Sequence, residues 1–152
     1  MKILRILRLF SCFLLLFAVC DLKARSLCVG QATVELHREP SDEAPVSWTV
    51  FRYMPLKMLD KKDGWYRVQN VDGKVHWIDE QAVHSSFECA VISNEYAHLR
   101  TGPGTKHPKF SKAKRGEKYL SFRVLGYEGD WVRLEDADGD IVWVHRPLLW
   151  IP

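Results

Sequence analysis

Apolar and polar residues alternate in two short runs, WYRVQNVDGKVHWI (65–78) and WVRLEDADGDIVWV (131–144). This alternation has the two-residue period of a β-strand with one buried face. An Asp-Gly pair interrupts each run, at Asp72-Gly73 and at Asp138-Gly139. Asp-Gly between alternating runs favours a tight hairpin, because the primed two-residue turns need positive φ angles. The pattern therefore predicts two β-hairpins built on one plan.

The two hairpins belong to a longer internal repeat. Residues 56–83 align with residues 122–149 at a shift of 66 without a gap. The recurring residues are Leu59, Trp65, Arg67, Asp72, Gly73 and Trp77, which return as Leu125, Trp131, Arg133, Asp138, Gly139 and Trp143. The N-terminal parts of the two units align at a shift of 63, which places Leu36, Pro40 and Pro45 opposite Leu99, Pro103 and Pro108. A long period that occurs only twice indicates tandem domains rather than a solenoid.

The pattern favours an all-β chain with two tandem small β-barrels, over residues 27–86 and 87–152. After residue 26, we find no long segment with the 3.6-residue period and caps of a helix. Each unit has roughly 60 residues, close to the lower limit for an independent core. We therefore expect each unit to bury its two repeated tryptophans, and barrel closure to cover most strand edges.

The first 26 residues have the features of a secretory signal. Three basic residues in MKILRILRLF precede the short apolar run LFSCFLLLFAV. A membrane span needs about 20 apolar residues, so we expect none in the mature chain. Cleavage after Ala24, Ser26 or Cys20 is open, as are an uncleaved anchor and lipid attachment at Cys20. The signal predicts a periplasmic or secreted protein of the bacterial envelope.

Removing the signal changes the charge balance. Five of the 22 basic residues and one of the 19 acidic residues lie in residues 1–26, which leaves 17 against 18 and a net charge of −1. A general electrostatic attraction to nucleic acid is therefore not expected.

Two cysteines, Cys28 and Cys89, follow the predicted signal, which carries Cys12 and Cys20. An even pair in an exported chain predicts a disulfide, and the alternative is two buried thiols.

The motifs of the second unit resemble those of the bacterial SH3-like domain family. The matching motifs are Leu99-Arg100, Gly102-Pro103-Gly104, Asp130-Trp131 and Trp143-Val144. The first unit diverges, with LHREPSD in place of Gly-Pro-Gly. A glycine usually precedes the tryptophan in this family, and both units depart from this, with His76 in the first and Val142 in the second. The resemblance implies a binding role, toward cell-wall peptides or a protein partner. Cell-wall peptidases often carry such domains beside a separate catalytic domain of about 100 residues, for which residues 27–152 have no room.

The stretch LRTGPGT (99–105) opens the long first loop of the second barrel in this interpretation. It is a poor phosphate cradle, because no Gly-Lys-Ser/Thr and no helix follow it.

Catalytic and metal-binding motifs are not found in the sequence. The six histidines form no HExxH pattern, no Gly-x-Ser-x-Gly is present, and Cys28 competes for the thiol of Cys89, which otherwise has His98 nearby in sequence. We therefore expect no cofactor and no enzymatic activity.

The strongest charge cluster lies after LRTGPGT and is interleaved with aromatic residues. Its members are Lys106, Lys109, Lys112, Lys114, Arg115 and Lys118. Such a run is either a solvated loop or a contact with an anionic polymer or acidic partner. SH3-type grooves are lined by aromatic residues, although aromatics at these places also build cores. The candidate binding residues are Arg100, Lys109, Phe110 and Tyr119 in the second unit and Trp48 and Tyr53 in the first.

The function that this sequence predicts is that of an exported, non-catalytic protein that binds peptidoglycan or cell-wall peptides. Two linked weak sites would gain avidity if both engage at once. The alternatives are an adaptor or inhibitor that binds a folded envelope protein, and an accessory of an enzyme encoded elsewhere.

Overall fold

The structure is a computed structural model, and it describes residues 25–152. The prediction of a signal in residues 1–26 therefore falls almost wholly outside the described residues. β1 already begins at Ser26, and the backbone N–H of Met58 donates to the carbonyl of Arg25 over 2.9 Å. Ser26 is thus part of the first folded unit.

The first unit contains seven strands and one short 3-10 helix in the described part of the chain. They are β1 (Ser26–Val29), β2 (Thr33–His37), β3 (Val46–Phe51), β4 (Pro55–Lys62), β5 (Trp65–Gln69), β6 (Val75–Asp79), the 3-10 helix Glu80–Ala82 and β7 (Val83–His84). They form one sheet in the order β3-β2-β6-β5-β4-β1-β7.

The second unit repeats this order of elements. It comprises β8 (Cys89–Ile92), β9 (Tyr96–His98), β10 (Arg115–Glu117), β11 (Ser121–Glu128), β12 (Trp131–Glu135), β13 (Ile141–His145), the 3-10 helix Arg146–Leu148 and β14 (Leu149–Trp150). Its strands form a five-stranded sheet, β13-β12-β11-β8-β14, and a two-stranded sheet, β10-β9. The predicted all-β class with two tandem units is confirmed.

The repeat extends to backbone irregularities and to the closure of each barrel. The β4–β5 register slips at Leu59 and the β11–β12 register slips at Leu125, so the repeated leucine is the extra residue of a β-bulge. A pairing of His37 with Trp77 joins β2 to β6 in the first unit, and a bridge between Arg100 and Trp143 occupies the equivalent place in the second.

Both hairpins that contain Asp-Gly are present, but the expectation of a two-residue turn at Asp-Gly is wrong. The pairing of Gln69 with Val75 leaves a five-residue connection, residues 70–74. The side chain of Asn70 accepts hydrogen bonds from the backbone of Asp72 and Lys74, which organises this longer loop. A two-residue connection occurs instead at Asp63-Gly64, where both residues have positive φ, 50° and 84°.

The core is built from alternate strand residues of each unit. In β12, Val132 and Leu134 are fully buried while Arg133 is exposed, as the alternation predicts. The expectation that the repeated tryptophans fill the core is wrong: all four are half-buried and lie outside both core clusters. Aliphatic side chains, with Met54 and Phe122, fill these narrow barrels, and the repeated indoles remain at their surface.

The two units are joined by covalent and polar contacts. A disulfide links Cys28 of β1 to Cys89 of β8, with both residues fully buried. The hydroxyl of Ser121 donates to the carbonyl of Arg52 over 2.8 Å. Val91 of the second unit packs within the core cluster of the first. The cores therefore meet, and the unit boundary is a packed interface.

Candidate functional site

A groove recurs at the same place of the repeat in both barrels. Each lies between the long loop that follows β2 or β9, the first residue of β5 or β12, and the 3-10 helix. Groove two is lined by His98, Arg100, Thr105, Trp131, His145 and Leu148. The corresponding positions in the first barrel, at shifts of 63 and 66, are Glu35, His37, Asp42, Trp65, Asp79 and Ala82, and all six line groove one.

Groove two is the smaller and more basic of the pair. It encloses a cavity of about 210 Å³. The rings of Trp131 and His145 are tilted against each other with centroids 5.3 Å apart. None of its six lining residues is acidic. Nδ1 of His98 is buried and has no hydrogen-bond partner among residues 25–152.

Groove one has the opposite electrostatic character. Its cavity is about 380 Å³, and its lining includes three carboxylates where groove two has two histidines and a threonine. Of these carboxylates, Asp79 also accepts a hydrogen bond from the backbone N–H of Gln81 over 2.7 Å. The ring of His37 meets Trp65 edge-on with centroids 5.4 Å apart. Both grooves therefore have a tryptophan at the same place, while the charge of the surrounding residues is reversed.

The residue after the repeated buried leucine, Leu36 or Leu99, braces the long loop in both units. In the first, Nδ1 of His37 donates to the carbonyl of Ala44 over 2.8 Å. In the second, one guanidinium nitrogen of Arg100 donates to the carbonyls of Thr105 and His107 over 3.1 and 2.8 Å. Both side chains therefore shape the loop that forms one wall of the groove.

The LRTGPGT stretch forms the corner of this loop. Gly102 is buried, and a Cβ there would overlap the imidazole ring of His107. Gly104 has a φ of 131°, a conformation that side chains with a Cβ rarely adopt. The stretch is glycine-rich because the loop closes tightly over Arg100.

The six residues proposed from the sequence do not form one site. Arg100 alone lines groove two. Lys109 is exposed, and its backbone bridges that of Arg100. Phe110 is half-buried and packs against the second core.

Tyr53 and Tyr119 are repeat equivalents with φ angles of 67° and 73°. Tyr53 packs edge-on against Phe87, with ring centroids 5.9 Å apart. Trp48 packs edge-on against Tyr119 at 5.6 Å. Trp48 and Tyr119 thus come together across the unit boundary, in a cleft of about 520 Å³.

Tyr119 is also held by a polar contact with the first unit. Its hydroxyl and the ammonium of Lys118 each donate to Asp72 over 2.7 Å. These bonds lower the pKa of Asp72, with Lys118 the larger cause, and the pKa of Lys118 is raised by the same carboxylate. This contact fixes the rim of the cleft between the units.

The basic cluster is partly neutralised within the fold. Lys112 pairs with Asp140 over 2.6 Å, Arg115 with Glu117 over 2.9 Å and Lys118 with Asp72. The cluster therefore offers less free positive charge than its sequence suggests.

The sequence-based selection missed Trp131, His98 and His145. A signal was present for Trp131, which repeats Trp65 at the shift of 66, whereas the equivalents of His98 and His145 in the first unit are Glu35 and Asp79. Within residues 25–152, we find no group of three His, Cys, Asp or Glu side chains arranged to hold a metal ion. No helix in this part of the chain has the length and apolar character of a membrane span.

Comparisons with known proteins agree with the tandem organisation. Two sequence profiles described as bacterial SH3 domain match residues 30–84 and residues 95–149. A protein of Bacillus subtilis (strain 168), YrvJ, whose name gives a proposed N-acetylmuramoyl-L-alanine amidase activity, is 34% identical over 55 residues. The match spans 36% of this chain and 10% of that relative.

The solved structures that match this chain share little sequence with it. An NlpC/P60 family protein from Bacillus cereus ATCC 10987 is 12% identical with a TM-score of 0.39, over 84% of this chain and 56% of that one. NlpC2 from Trichomonas vaginalis is 11% identical with a TM-score of 0.38, over 84% and 48%. On the two profile matches, this chain belongs to the bacterial SH3 domain family and carries two such domains in tandem.

Proposed function

We propose that this chain is an exported, non-catalytic binding protein that engages peptidoglycan or cell-wall peptides. The observation that carries the proposal is the recurrence of one tryptophan-lined groove in both barrels, at Trp65 and Trp131. An aromatic face beside a few polar groups suits a short extended peptide. The secretory features of residues 1–26 and the buried disulfide support an envelope location.

The proposal of a non-catalytic role rests on the content of the described residues. Residues 25–152 are taken up by the two barrels and their loops. The bacterial relative YrvJ is matched over 55 residues, the length of one such domain. Its amidase name therefore supports a cell-wall context for this chain rather than a hydrolytic activity.

The test is co-sedimentation of residues 25–152, disulfide intact, with purified protein-free peptidoglycan across a salt series. We expect saturable binding that survives moderate salt and weakens at least about tenfold in Trp131→Ala. The matched variant Trp65→Ala separates the contributions of the two grooves. Binding that disappears with salt would indicate only the adhesion of lysines to an anionic polymer and would contradict the proposal.

A second candidate function is supported by the reversed charge of groove one. Because its carboxylates differ from the lining of groove two, the barrels need not share a ligand. An envelope adaptor or inhibitor that binds a folded protein would use them separately. It predicts no affinity for purified wall and a specific crosslinked partner in the envelope.

A further inference from the structure

We propose that groove two is a carboxylate-binding site, which recognises the free carboxyl group of a peptide between His98, His145 and Arg100. The proposal rests on the proposed function, because it specifies which chemical group of a cell-wall peptide this groove holds. Groove one, in the same chain, is the site that excludes this group.

The first argument is the unpaired nitrogen of His98. Its Nδ1 is buried and has no hydrogen-bond partner among residues 25–152. Buried polar atoms in proteins are nearly always paired, and this one belongs to a side chain that lines the groove, so a rotation of the imidazole ring would bring an unsatisfied nitrogen to a ligand there. In the tautomer that carries its proton on Nδ1, His98 donates, and a carboxylate oxygen is a suitable acceptor.

The second argument is the set of donors that surround the same cavity. Only one guanidinium nitrogen of Arg100 bonds the loop carbonyls, which leaves further N–H groups of this planar cation for a ligand. His145 ends β13 without the capping hydrogen bond that its counterpart Asp79 makes in the first barrel. The ring nitrogens of His145 are therefore not committed to the backbone of the 3-10 helix.

The third argument is the comparison within the repeat. Where groove two has His98, Thr105 and His145, groove one has Glu35, Asp42 and Asp79. The position of the tryptophan and the closing of the loop are the same in both. Besides their volumes, the two grooves differ in charge, and a carboxylate would be repelled from groove one.

Apolar side chains in the same groove would contact the part of the peptide next to its carboxyl group. The face of Trp131 and the side chain of Leu148 line the cavity beside the donors. Its volume of about 210 Å³ is small for a ligand site, so we expect it to hold the terminal residue or two of a peptide.

The experiment uses a matched pair of probes with residues 25–152, disulfide intact and labelled with ¹⁵N. The probes are acetyl-L-lysyl-D-alanyl-D-alanine with a free carboxylate and the same peptide as its C-terminal amide. We expect the carboxylate form to shift the Trp131 indole and the His98 and His145 ring signals, and to bind about tenfold or more tightly than the amide. An all-L peptide of the same composition distinguishes a cell-wall stem from a protein C-terminus as the source of the carboxylate.

The matched variants exchange residues between the grooves. His98→Glu places the groove-one residue in groove two and should abolish the preference for the carboxylate. Glu35→His is the reciprocal change, and it should leave binding at groove two unaltered. His98→Gln keeps a donor at this place and should retain part of the preference, which separates loss of chemistry from loss of folding.

Equal binding of the two probes, or shifts that map to Trp65, would overturn the carboxylate proposal. If neither probe binds while the wall still sediments the protein through Trp131, the carboxylate proposal fails and the proposed function stands. If the wall does not bind but the carboxylate probe does, the proposed function fails and the site remains.

Discussion

The phenol hydroxyl of Tyr119 donates a hydrogen bond to Oδ2 of Asp72 over 2.7 Å, and this bond connects the hairpin loop of the first barrel to a turn of the second. The two residues are 47 positions apart, and Lys118 binds the other carboxylate oxygen. Together with the Cys28–Cys89 disulfide, this contact fixes the orientation of one groove relative to the other.

The Asp72 contact predicts an acid-sensitive contribution to stability. Because the folded pKa of Asp72 is lowered, its contribution is present above the unfolded value of about 3.9 and is lost as the pH falls below it. The contact is exposed to solvent, so we expect Asp72→Asn to reduce the free energy of unfolding by less than about 1 kcal/mol at pH 7. Urea unfolding at pH 7 and pH 3 measures the difference. Asp138→Asn, at the repeat equivalent, is the control; an equal effect in both variants would contradict the role of the contact.

The Cys28–Cys89 disulfide predicts a larger effect. It joins residues 61 apart, and closing a loop of this length stabilises a fold by about 4 kcal/mol in the chain-entropy model. We expect the double variant Cys28→Ala/Cys89→Ala to lose a comparable free energy of unfolding while it keeps its far-ultraviolet circular dichroism. Urea unfolding under non-reducing conditions tests this. If the variant matched the parent protein, the two thiols would be unpaired in the parent.

The buried His76 predicts a second pH dependence, near neutrality. Its ring hydrogen-bonds the hydroxyl of Ser47 over 2.7 Å, and burial lowers its pKa. The neutral ring is therefore favoured in the fold, and its contribution is complete above the unfolded value of about 6.5 and is lost as the pH falls below it.

The measurement for His76 is urea unfolding at pH 7.5 and pH 5.5. The second barrel carries valine at the equivalent position, Val142, so His76→Val is the matched variant. We expect it to remove part of the loss of stability between these pH values. Burial also lowers the pKa of His84, which would account for a remaining part. An unchanged slope in His76→Val would rule out His76 as a source.

The glycines of the second barrel predict a contrast between two alanine substitutions. A Cβ at Gly102 would overlap the ring of His107, whereas a Cβ at Gly126 would have no atom within 4 Å. We expect Gly102→Ala to reduce the free energy of unfolding by about 1–3 kcal/mol, and Gly126→Ala to change it by less than about 0.5 kcal/mol. Thermal unfolding of both variants provides the comparison. Equal melting temperatures would show that the loop adapts without strain.

Local patterns were sufficient to predict the class of fold. Val132, Leu134 and Arg133 alternate as a half-buried strand must, and the structure places them accordingly. The chain has an Asp-Gly pair, which favours a tight turn, both at Asp63-Gly64 and at Asp72-Gly73. The alternation of apolar and polar residues does not show which of the two pairs forms the two-residue turn. The loop at Asp72-Gly73 is longer because the side chain of Asn70 accepts hydrogen bonds from its backbone.

Of the six candidate residues taken from the sequence, Arg100 is the one that lines groove two. Aromatic and basic residues are close in sequence around this loop, yet Phe110 packs against a core cluster and Lys118 pairs with Asp72 of the other barrel. The residues that do line groove two come from three separate segments of the chain, 98–105, 131 and 145–148. Sequence proximity does not reveal such a set, because strand pairing brings the segments together.

The sequence by itself determined the β period, the duplication, the cysteine pair and the glycine-rich corner, since each depends on residues that are neighbours or recur at a fixed spacing. Only the tertiary structure decided that the repeated tryptophans lie at grooves and barrel closures rather than in the cores. It also decided that Glu35 and His98 occupy the same place in opposite electrostatic surroundings. The physical reason is that burial and charge around a side chain are set by strands distant in sequence, and these meet only when the barrel closes.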